Sequence, residues 1–327
     1  MSTNRTLAMS ESEEIVGRPS VRAPFSKGIL QAASQNSDIV LLTADLGKYT
    51  DTQDFKESYP ERYFNVGMAE QALVMAAAGL SKAGKIAYCT TYGTFATRRA
   101  YDFLAIASAH SNENVKMFAG NPGLTTGYGG THQANEDLAL MRAIPNMMVL
   151  DPCDATEMQQ IAEMAAELPG TLYCRLLRAN VARIFDPDTY KFQLGKGYRV
   201  PLGEPKRVKL GFISTGFMTE RAIDAAQALN ENCGVFHSPS IKPFDAEGVV
   251  RFAQSAELLV TCENHVTSGG LATLVIEALQ EAGLSKKILK IGIPDKFIEC
   301  GSLNYLQDTY GLTTERIVER VQAWIEQ

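Results

Sequence analysis

From residue 24 onward, short apolar runs alternate with longer segments whose apolar positions recur at helical spacing. The pattern predicts strands over 38–43, 62–66, 85–90, 115–119, 147–150 and 171–176. Helices are predicted over 25–34, 72–80, 95–109 and 156–168. The period is lost between 182 and 205, a stretch of mixed polarity with Pro-containing turns. Alternation then resumes, with strands over 208–213, 235–237, 258–262 and 288–293 and helices over 219–229, 271–281 and 314–324. Apolar strands separated by helices of this length imply an α/β protein of two domains, each a mostly parallel sheet covered by helices. The expected layout is a flexible tail over 1–19, a first domain over 20–190, a linker over 191–205 and a second domain over 206–327.

One stretch departs from ordinary amphipathic spacing. Phe64-Asn65-Val66-Gly67-Met68-Ala69-Glu70-Gln71 reads as a short strand, a glycine turn and the start of a helix. The helix is apolar on nearly every face, so it is expected to be buried. Its first turn nevertheless carries Glu70. A buried carboxylate without a partner is costly and tends to take a proton, which suits an acid catalyst. The competing reading is a first-turn glutamate that faces water and is favoured by the helix dipole.

Composition narrows the class. The 327 residues suffice for two full cores, with 45% hydrophobic and 21% charged residues. A net charge of −6 with no basic block argues against nucleic acid as a partner. The six cysteines are far apart and form no C-x-x-C pair, which speaks against a zinc site or disulfide framework and for a reducing cytoplasm. The polar, acidic start has no apolar core of a signal peptide, and no apolar run is long enough to span a membrane. No H-E-x-x-H, G-x-S-x-G or metal-ligand cluster occurs.

In open parallel sheets, ligands bind beyond the carboxyl ends of the strands. Several unusual residues fall there: Asp45 and Leu46 after the first strand, Glu70 after the second, and Tyr92 to Phe95 after the third. A glycine-rich loop over 123–133, ending at His132-Gln133, follows the fourth, and Arg175 and Arg178 close the last. Singly, each has a structural reading: Asp45 as a turn cap, Phe95 as core, His132 beside a helix cap, the arginines as surface charges. Jointly they mark one rim. The loop lacks the order of a phosphate-cradling motif and is read as backbone that lets a substrate approach closely.

Asn65-Val66-Gly67-Met68-Ala69-Glu70-Gln71 resembles the GxAEQ segment of transketolases, which use thiamin diphosphate. The resemblance continues through Thr91-Tyr92-Gly93-Thr94-Phe95-Ala96-Thr97-Arg98-Arg99-Ala100-Tyr101-Asp102 and Thr131-His132-Gln133-Ala134-Asn135-Glu136-Asp137. It runs on to Glu263-Asn264-His265, Gly269-Gly270 and Tyr310-Gly311-Leu312-Thr313, covering residues 20–327. It implies a thiamin-diphosphate pyrimidine-binding domain followed by a transketolase C-terminal domain. The family's diphosphate and Mg²⁺ motif, G-D-G…N, has no counterpart, since no Gly-Asp-Gly occurs in the chain. The resemblance therefore implies one subunit of a split transketolase, active in an α2β2 heterotetramer with an N-terminal subunit that holds Mg²⁺ and the diphosphate.

The same resemblance assigns roles. Glu70 would hydrogen-bond the aminopyrimidine ring and favour its imino tautomer, Phe95 would stack on that ring with Tyr92 beside it, and Asp45 and Leu46 would lie at the cofactor. His132 would contact hydroxyls of the ketose donor, and Arg22 and Arg178 would grip a sugar phosphate. The implied reaction is ketol transfer from a ketose phosphate to an aldose phosphate. Two departures stand out. The family's Gly-Glu-Asp-Gly is Gly127-Tyr128-Gly129 here, and a histidine at the phosphate end is replaced near Gly120 or Asn121, which points to a non-standard sugar phosphate. Alternatives are half of a deoxyxylulose-phosphate synthase or a non-catalytic partner subunit.

Overall fold

The structure, a computed structural model, describes residues 18–202, 207–229 and 231–326. Of the expected tail over 1–19, residues 1–17 lie outside the described residues. Its last two residues are already engaged: the Arg18 guanidinium reaches Glu220 at 2.5 Å and Asp224 at 2.5 Å, and Pro19 O accepts from Arg183 N at 2.8 Å.

The first domain opens with β1 (Ser20–Arg22), α1 (Pro24–Gln35), β2 (Ile39–Thr43), α2 (Gln53–Ser58), β3 (Tyr63–Asn65), α3 (Glu70–Lys82) and β4 (Ile86–Tyr92). It continues through α4 (Gly93–Arg98), α5 (Tyr101–Phe103), β5 (Val115–Gly120), α6 (Asp137–Ala143), β6 (Met148–Leu150), α7 (Ala155–Met164), β7 (Leu172–Arg175) and β8 (Asn180–Ala182). The second domain has β9 (Tyr198–Val200), β10 (Val208–Ser214), α8 (Met218–Ala228), β11 (Cys233–His237), β12 (Ser240–Lys242), α9 (Ala246–Gln254) and β13 (Ala256–Val266). It ends with α10 (Leu271–Glu281), β14 (Ile288–Ile293), α11 (Leu303–Thr309) and α12 (Thr314–Ile325).

The larger sheet has the order β12-β6-β7-β5-β4-β2-β3 and is parallel except for β12, and the smaller has the order β14-β13-β10-β11-β9 and is parallel except for β9. The expected two-domain, mostly parallel α/β class is what the chain adopts. The central strands β2, β5 and β7 are buried at every position, as strands covered on both faces must be.

The chain also forms β1, β8, β12, α2, α6, α9 and α11, which the sequence pattern did not predict, and three further details differ. The span read as a linker holds β9, which pairs antiparallel with β11; an edge strand has only one partner and needs little apolar signal. The helix expected over 95–109 starts earlier, at Gly93, and breaks at Ala100 (φ −112, ψ 12). It restarts at Tyr101 and widens into a π-helical segment over Leu104–His110. Most consequentially, α3 is not buried all round. Leu73, Val74, Ala77 and Ala78 face the sheet, whereas Gln71, Ala72, Met75 and Gly79 are exposed. The composition of α3 suits a helix covered on every side, and within this chain only one side is covered.

The domains share their interior. One apolar cluster runs from Phe25, Tyr88 and Phe118 in the first to Phe212, Val260 and Ile291 in the second. Strand β12 leaves the second domain to become the edge of the first domain's sheet. Polar pairs close the seam. His237 Nε2 lies 2.8 Å from Glu157 Oε2, and Glu157 also accepts from Cys153 N at 2.9 Å and from the Tyr190 hydroxyl. Cys153, Glu157 and His237 are a compact His/Cys/Glu group, fully buried, and the carboxylate and imidazole are already taken up by these bonds and by Thr219 Oγ1. All six cysteines are free, and only Cys300 is exposed. Among the described residues no helix is long and apolar enough to cross a membrane.

Glu263, at the seam end of β13, accepts from Leu271 N at 2.7 Å and Ala272 N at 3.0 Å where α10 begins. Burial pushes its carboxyl up to about 7, against the opposing pull of those two N–H groups. A carboxyl raised in the folded state contributes stability that is present below its ordinary pKa of 4.5 and is lost as pH rises through about 7. Glu263→Gln removes this titration. Wild type should therefore lose stability relative to the variant between pH 5 and pH 8, read from urea midpoints. A pH-independent gap would show that Glu263 does not titrate in this range.

Candidate active site

The sheet order places the ends of β3, β2, β4 and β5 side by side, and each carries one part of a single rim. Beyond β3, Asn65 Nδ2 donates to Asp45 Oδ1 at 2.9 Å while Asp45 N donates to Asn65 Oδ1 at 3.0 Å, which ties the two strand ends together. Asp45 is exposed, with a left-handed backbone (φ 57), and Leu46 beside it is half-buried. Gly67 turns the chain (φ 76) into α3, whose first residue is Glu70, 2% exposed.

The Glu70 carboxylate is not solitary, as the sequence suggested it would be. Arg99 Nη1 donates to Oε1 at 3.1 Å and to Oε2 at 3.3 Å. Arg99 comes from the break at the end of α4, four residues after Phe95, and this spacing puts its guanidinium over the Phe95 ring at 4.0 Å. Phe95 in turn sits 5.7 Å from Tyr92 and 5.4 Å from His132, and the Tyr128 ring lies 5.3 Å from His132. Glu70, Tyr92, Phe95 and His132 thus come together. His132 is held below the ordinary histidine range by partial burial and then by the Arg99 charge, so its imidazole is neutral near pH 7.

Arg22 and Arg178 occupy the far end. Strands β1 and β8 pair antiparallel with Arg22 opposite Asn180, which sets Arg22 near Arg178. Asp51 lies between them: its carboxylate accepts from Ala179 N at 2.7 Å and feels the charges of both arginines, although burial keeps its carboxyl raised. Arg178 Nε donates to Asn121 Oδ1 at 3.2 Å. The Tyr92 hydroxyl, pushed up by burial, is countered by the Arg178 charge and the Asn121 amide. A cavity of about 200 Å³ opens here between the domains, lined in part by Asn121, Thr125, Arg178, Asn180 and Gln307. Arg175, a rim candidate in the sequence, belongs instead to the interior: it is 1% exposed and bound to Asp137 and Asp151.

The glycine-rich loop that ends at His132 is positioned from the other domain. Asn264 Oδ1 accepts from Leu124 N at 2.8 Å and Asn264 Nδ2 donates to Pro122 O at 3.2 Å. Gly123 (φ 56) leaves no room for a side chain, since a Cβ there would lie 2.2 Å from Asn264 O. Gly301 N donates to Gly127 O at 3.1 Å, and Arg98 Nη1 donates to Gly130 O at 2.6 Å. Sequence reasoning missed Arg99, Asp51 and Asn264. The Phe95/Arg99 spacing of four was a visible signal for the first; the others become neighbours of the site only through folding.

Residues 18–183 match the model of the transketolase pyrimidine-binding domain, and residues 204–317 match that of the transketolase C-terminal domain. The chain belongs to the transketolase family. It is 40% identical over 327 residues to an uncharacterised transketolase family protein of Sinorhizobium fredii, covering 98% of this chain and 94% of that one. It is 35% identical to the 6-deoxy-6-sulfo-D-fructose transketolase subunit SqwH of a Clostridium species, covering 89% of each. Among solved structures, a split-gene transketolase described as an inactive beta4 tetramer superposes with a TM-score of 0.81 at 38% identity, over 92% of this chain and 96% of that one. The chain spans about half the length of 1-deoxy-D-xylulose-5-phosphate synthases such as that of Methylacidiphilum infernorum, at 32% identity. It is thus a subunit of the split transketolase type, carrying the pyrimidine-binding and C-terminal domains.

Because Asn264 is the strut under the loop, Asn264→Ala should cost about 1–3 kcal/mol, the usual penalty for stranding buried hydrogen-bonding groups. Amide exchange should accelerate at Leu124 more than in the sheet. Uniform acceleration throughout the chain would argue against a local strut.

Proposed function

We propose that this chain is the substrate-side subunit of a thiamin-diphosphate-dependent transketolase that moves a ketol unit between anionic sugars. The observation that supports it is the convergence of one buried carboxylate, Glu70, and one aromatic face, Phe95, on a single rim, at the ends of β3 and β4 with β2 between them. That donor set fits a flat, hydrogen-bonding heterocycle: a face to stack on and an acceptor at its edge. When bound, the cofactor supplies the electron sink for breaking and remaking a carbon–carbon bond. Glu70 would hydrogen-bond the ring edge, and Phe95 would stack on the ring with Tyr92 beside it. Asp45 and Leu46, just beyond β2, would lie at the cofactor. His132, neutral and close to Phe95, accepts a hydrogen bond or proton from a sugar hydroxyl.

Arg22 and Arg178 take the anionic end of the sugar. The Asp51 carboxylate beside them offsets part of their positive charge and the neutral Asn121 amide adds none, in keeping with a non-standard sugar anion. The Clostridium relative is named for a sulfonated sugar, which supports the same view. Tyr128, half-exposed against His132, would shape the hydroxyl end.

Partner and metal follow from what this surface offers. The diphosphate needs Mg²⁺ and oxygen ligands, which we assign to a second, diphosphate-binding subunit. Exposed apolar residues on and around α3 support a docked chain beside Glu70: Phe64, Met68 (81% exposed), Met75 (50%) and Ile106. Two copies of each subunit, α2β2, would close the symmetry. Free, mostly buried cysteines support a reducing, cytoplasmic setting.

The purified chain should show little ketol transfer, and a diphosphate-binding subunit with Mg²⁺ and thiamin diphosphate should restore it. Full turnover by the isolated chain would sink the two-subunit reading. In the restored enzyme Glu70→Gln should keep its fold and lose about 10²–10⁴-fold in turnover. Carbon dioxide release from pyruvate would instead identify a deoxyxylulose-phosphate synthase half.

Separately, Arg22→Ala or Arg178→Ala should raise KM for phosphorylated or sulfonated sugars far more than for their neutral counterparts, because charge-assisted pairs to an anion are the strong ones. Equal effects on both kinds of sugar would assign these arginines a structural role.

A further inference from the structure

Arg99 has no part in the roles given above, yet it occupies the centre of the site. Its guanidinium is flat, cationic and rich in N–H donors. It lies 4.0 Å from the Phe95 ring centroid and donates 3.1 Å and 3.3 Å hydrogen bonds to the two oxygens of Glu70. A face to stack on and a carboxylate edge to bond are the two things this chain offers a pyrimidine. Arg99 uses both. Its side chain is 48% exposed, so water is available to it if it leaves.

We propose that Arg99 is an internal stand-in for the cofactor's pyrimidine, a gate residue that must swing off Phe95 and release Glu70 before the ring can bind. The inference rests on the reading of Phe95 and Glu70 given above. Two flat groups cannot share one face of Phe95, so occupancy by Arg99 and by the ring are mutually exclusive. The apparent affinity for the ring is then reduced by the fraction of molecules in which the gate is open. A guanidinium–aromatic contact and a carboxylate pair with a half-exposed cation are each modest. The gate is therefore one a ligand can open. It also keeps Glu70, a carboxylate 2% exposed, from being left without a partner when the site holds no ring.

The same cation reaches His132, whose other neighbours are the Tyr92, Phe95 and Tyr128 rings and the Thr131 hydroxyl, 2.9 Å from Nδ1. Moving the guanidinium away should let the His132 pKa rise. The gate thus reports its own position on a residue it does not touch. The chain has only four histidines, and two of them, His237 and His265, are fully buried, so the His132 signal can be followed individually.

The test uses the full chain and a neutral probe, 4-amino-5-hydroxymethyl-2-methylpyrimidine, the ring half of the cofactor without its charges. Probe affinity and the His132 titration are both read by NMR of labelled histidine. Arg99→Met and Arg99→Ala should bind the probe about 3–10-fold more tightly than wild type, the range expected from removing a modest competing contact. Both should raise the His132 pKa without any probe. Adding probe to wild type should raise it in the same direction, and adding probe to Arg99→Met should not raise it further. Phe95→Ala and Glu70→Gln serve as controls. If these two weaken binding while the Arg99 variants bind equally or more weakly than wild type, the gate falls and the reading of the site stands. If the controls leave binding unchanged, the reading of the site falls and the gate with it.

Discussion

A guanidinium with no access to water must be neutralised in place, and the seam of this protein is built around one. Arg175 is 1% exposed at the end of β7. Its Nε and Nη2 bond both oxygens of Asp137, at 2.9 and 2.5 Å, and its Nη1 reaches Asp151 at 3.3 Å. Burial raises both carboxyls, and the Arg175 charge reverses this only at Asp137, which also accepts from the Tyr173 hydroxyl. The two acids then organise what surrounds them. Asp137 begins α6, directly after the loop that presents His132, and Ala139 N in that helix donates to His265 Nε2 of the second domain. Asp151 N donates to Pro239 O, and Asp151 O accepts from Gly216 N, so both backbone groups bond the second domain. Removing one member would leave a buried charge without compensation, which is far costlier than the pair's net gain.

The rim inherits its order from this seam. Parallel strands deliver Asp45, Glu70, Tyr92 and Asn121 to one edge, because every right-handed crossover returns the chain in the same direction. The loop bearing His132 has no strand of its own to fix it. It is held instead by Asn264, Gly301 and Arg98, two of them on the other domain or its loops. The C-terminal domain therefore acts as a strut, and Asn264 of the Glu263-Asn264-His265 motif both holds the loop and lines the cavity.

The charge distribution follows the same economy. The site places its one deeply buried carboxylate, Glu70, against a cation that is half in water, while the cations at the anion end are balanced by Asp51. A buried partner for Glu70 would have fixed it permanently. A solvent-reachable one leaves the carboxylate paired in the free chain and available to a ligand. The outer side of α3 is unfinished in the same sense, since an apolar helix face left open beside Glu70 suits a second chain.

Much of this was legible in the linear pattern. Alternating apolar strands and helices determine a parallel α/β fold because a strand buried on both faces has to be apolar at every position, and that signal is local. The rim residues Asp45, Glu70, Tyr92, Phe95 and His132 could be named because strand ends are themselves local features. What the sequence left undetermined depends on contacts between distant segments. β9 was invisible because an edge strand carries little apolar signal, and β12 joining the other domain's sheet is a pairing across more than eighty residues. The half-open face of α3 could not be read from a helix apolar all round, since composition records what a surface suits and not what covers it. Arg175 and Arg178 look alike three residues apart and both border the cavity between the domains, yet Arg175 is 1% exposed and bound to two acids while Arg178 is partly open to solvent. Only the packed seam, by deciding which of them water and substrate can reach, separated structure from site.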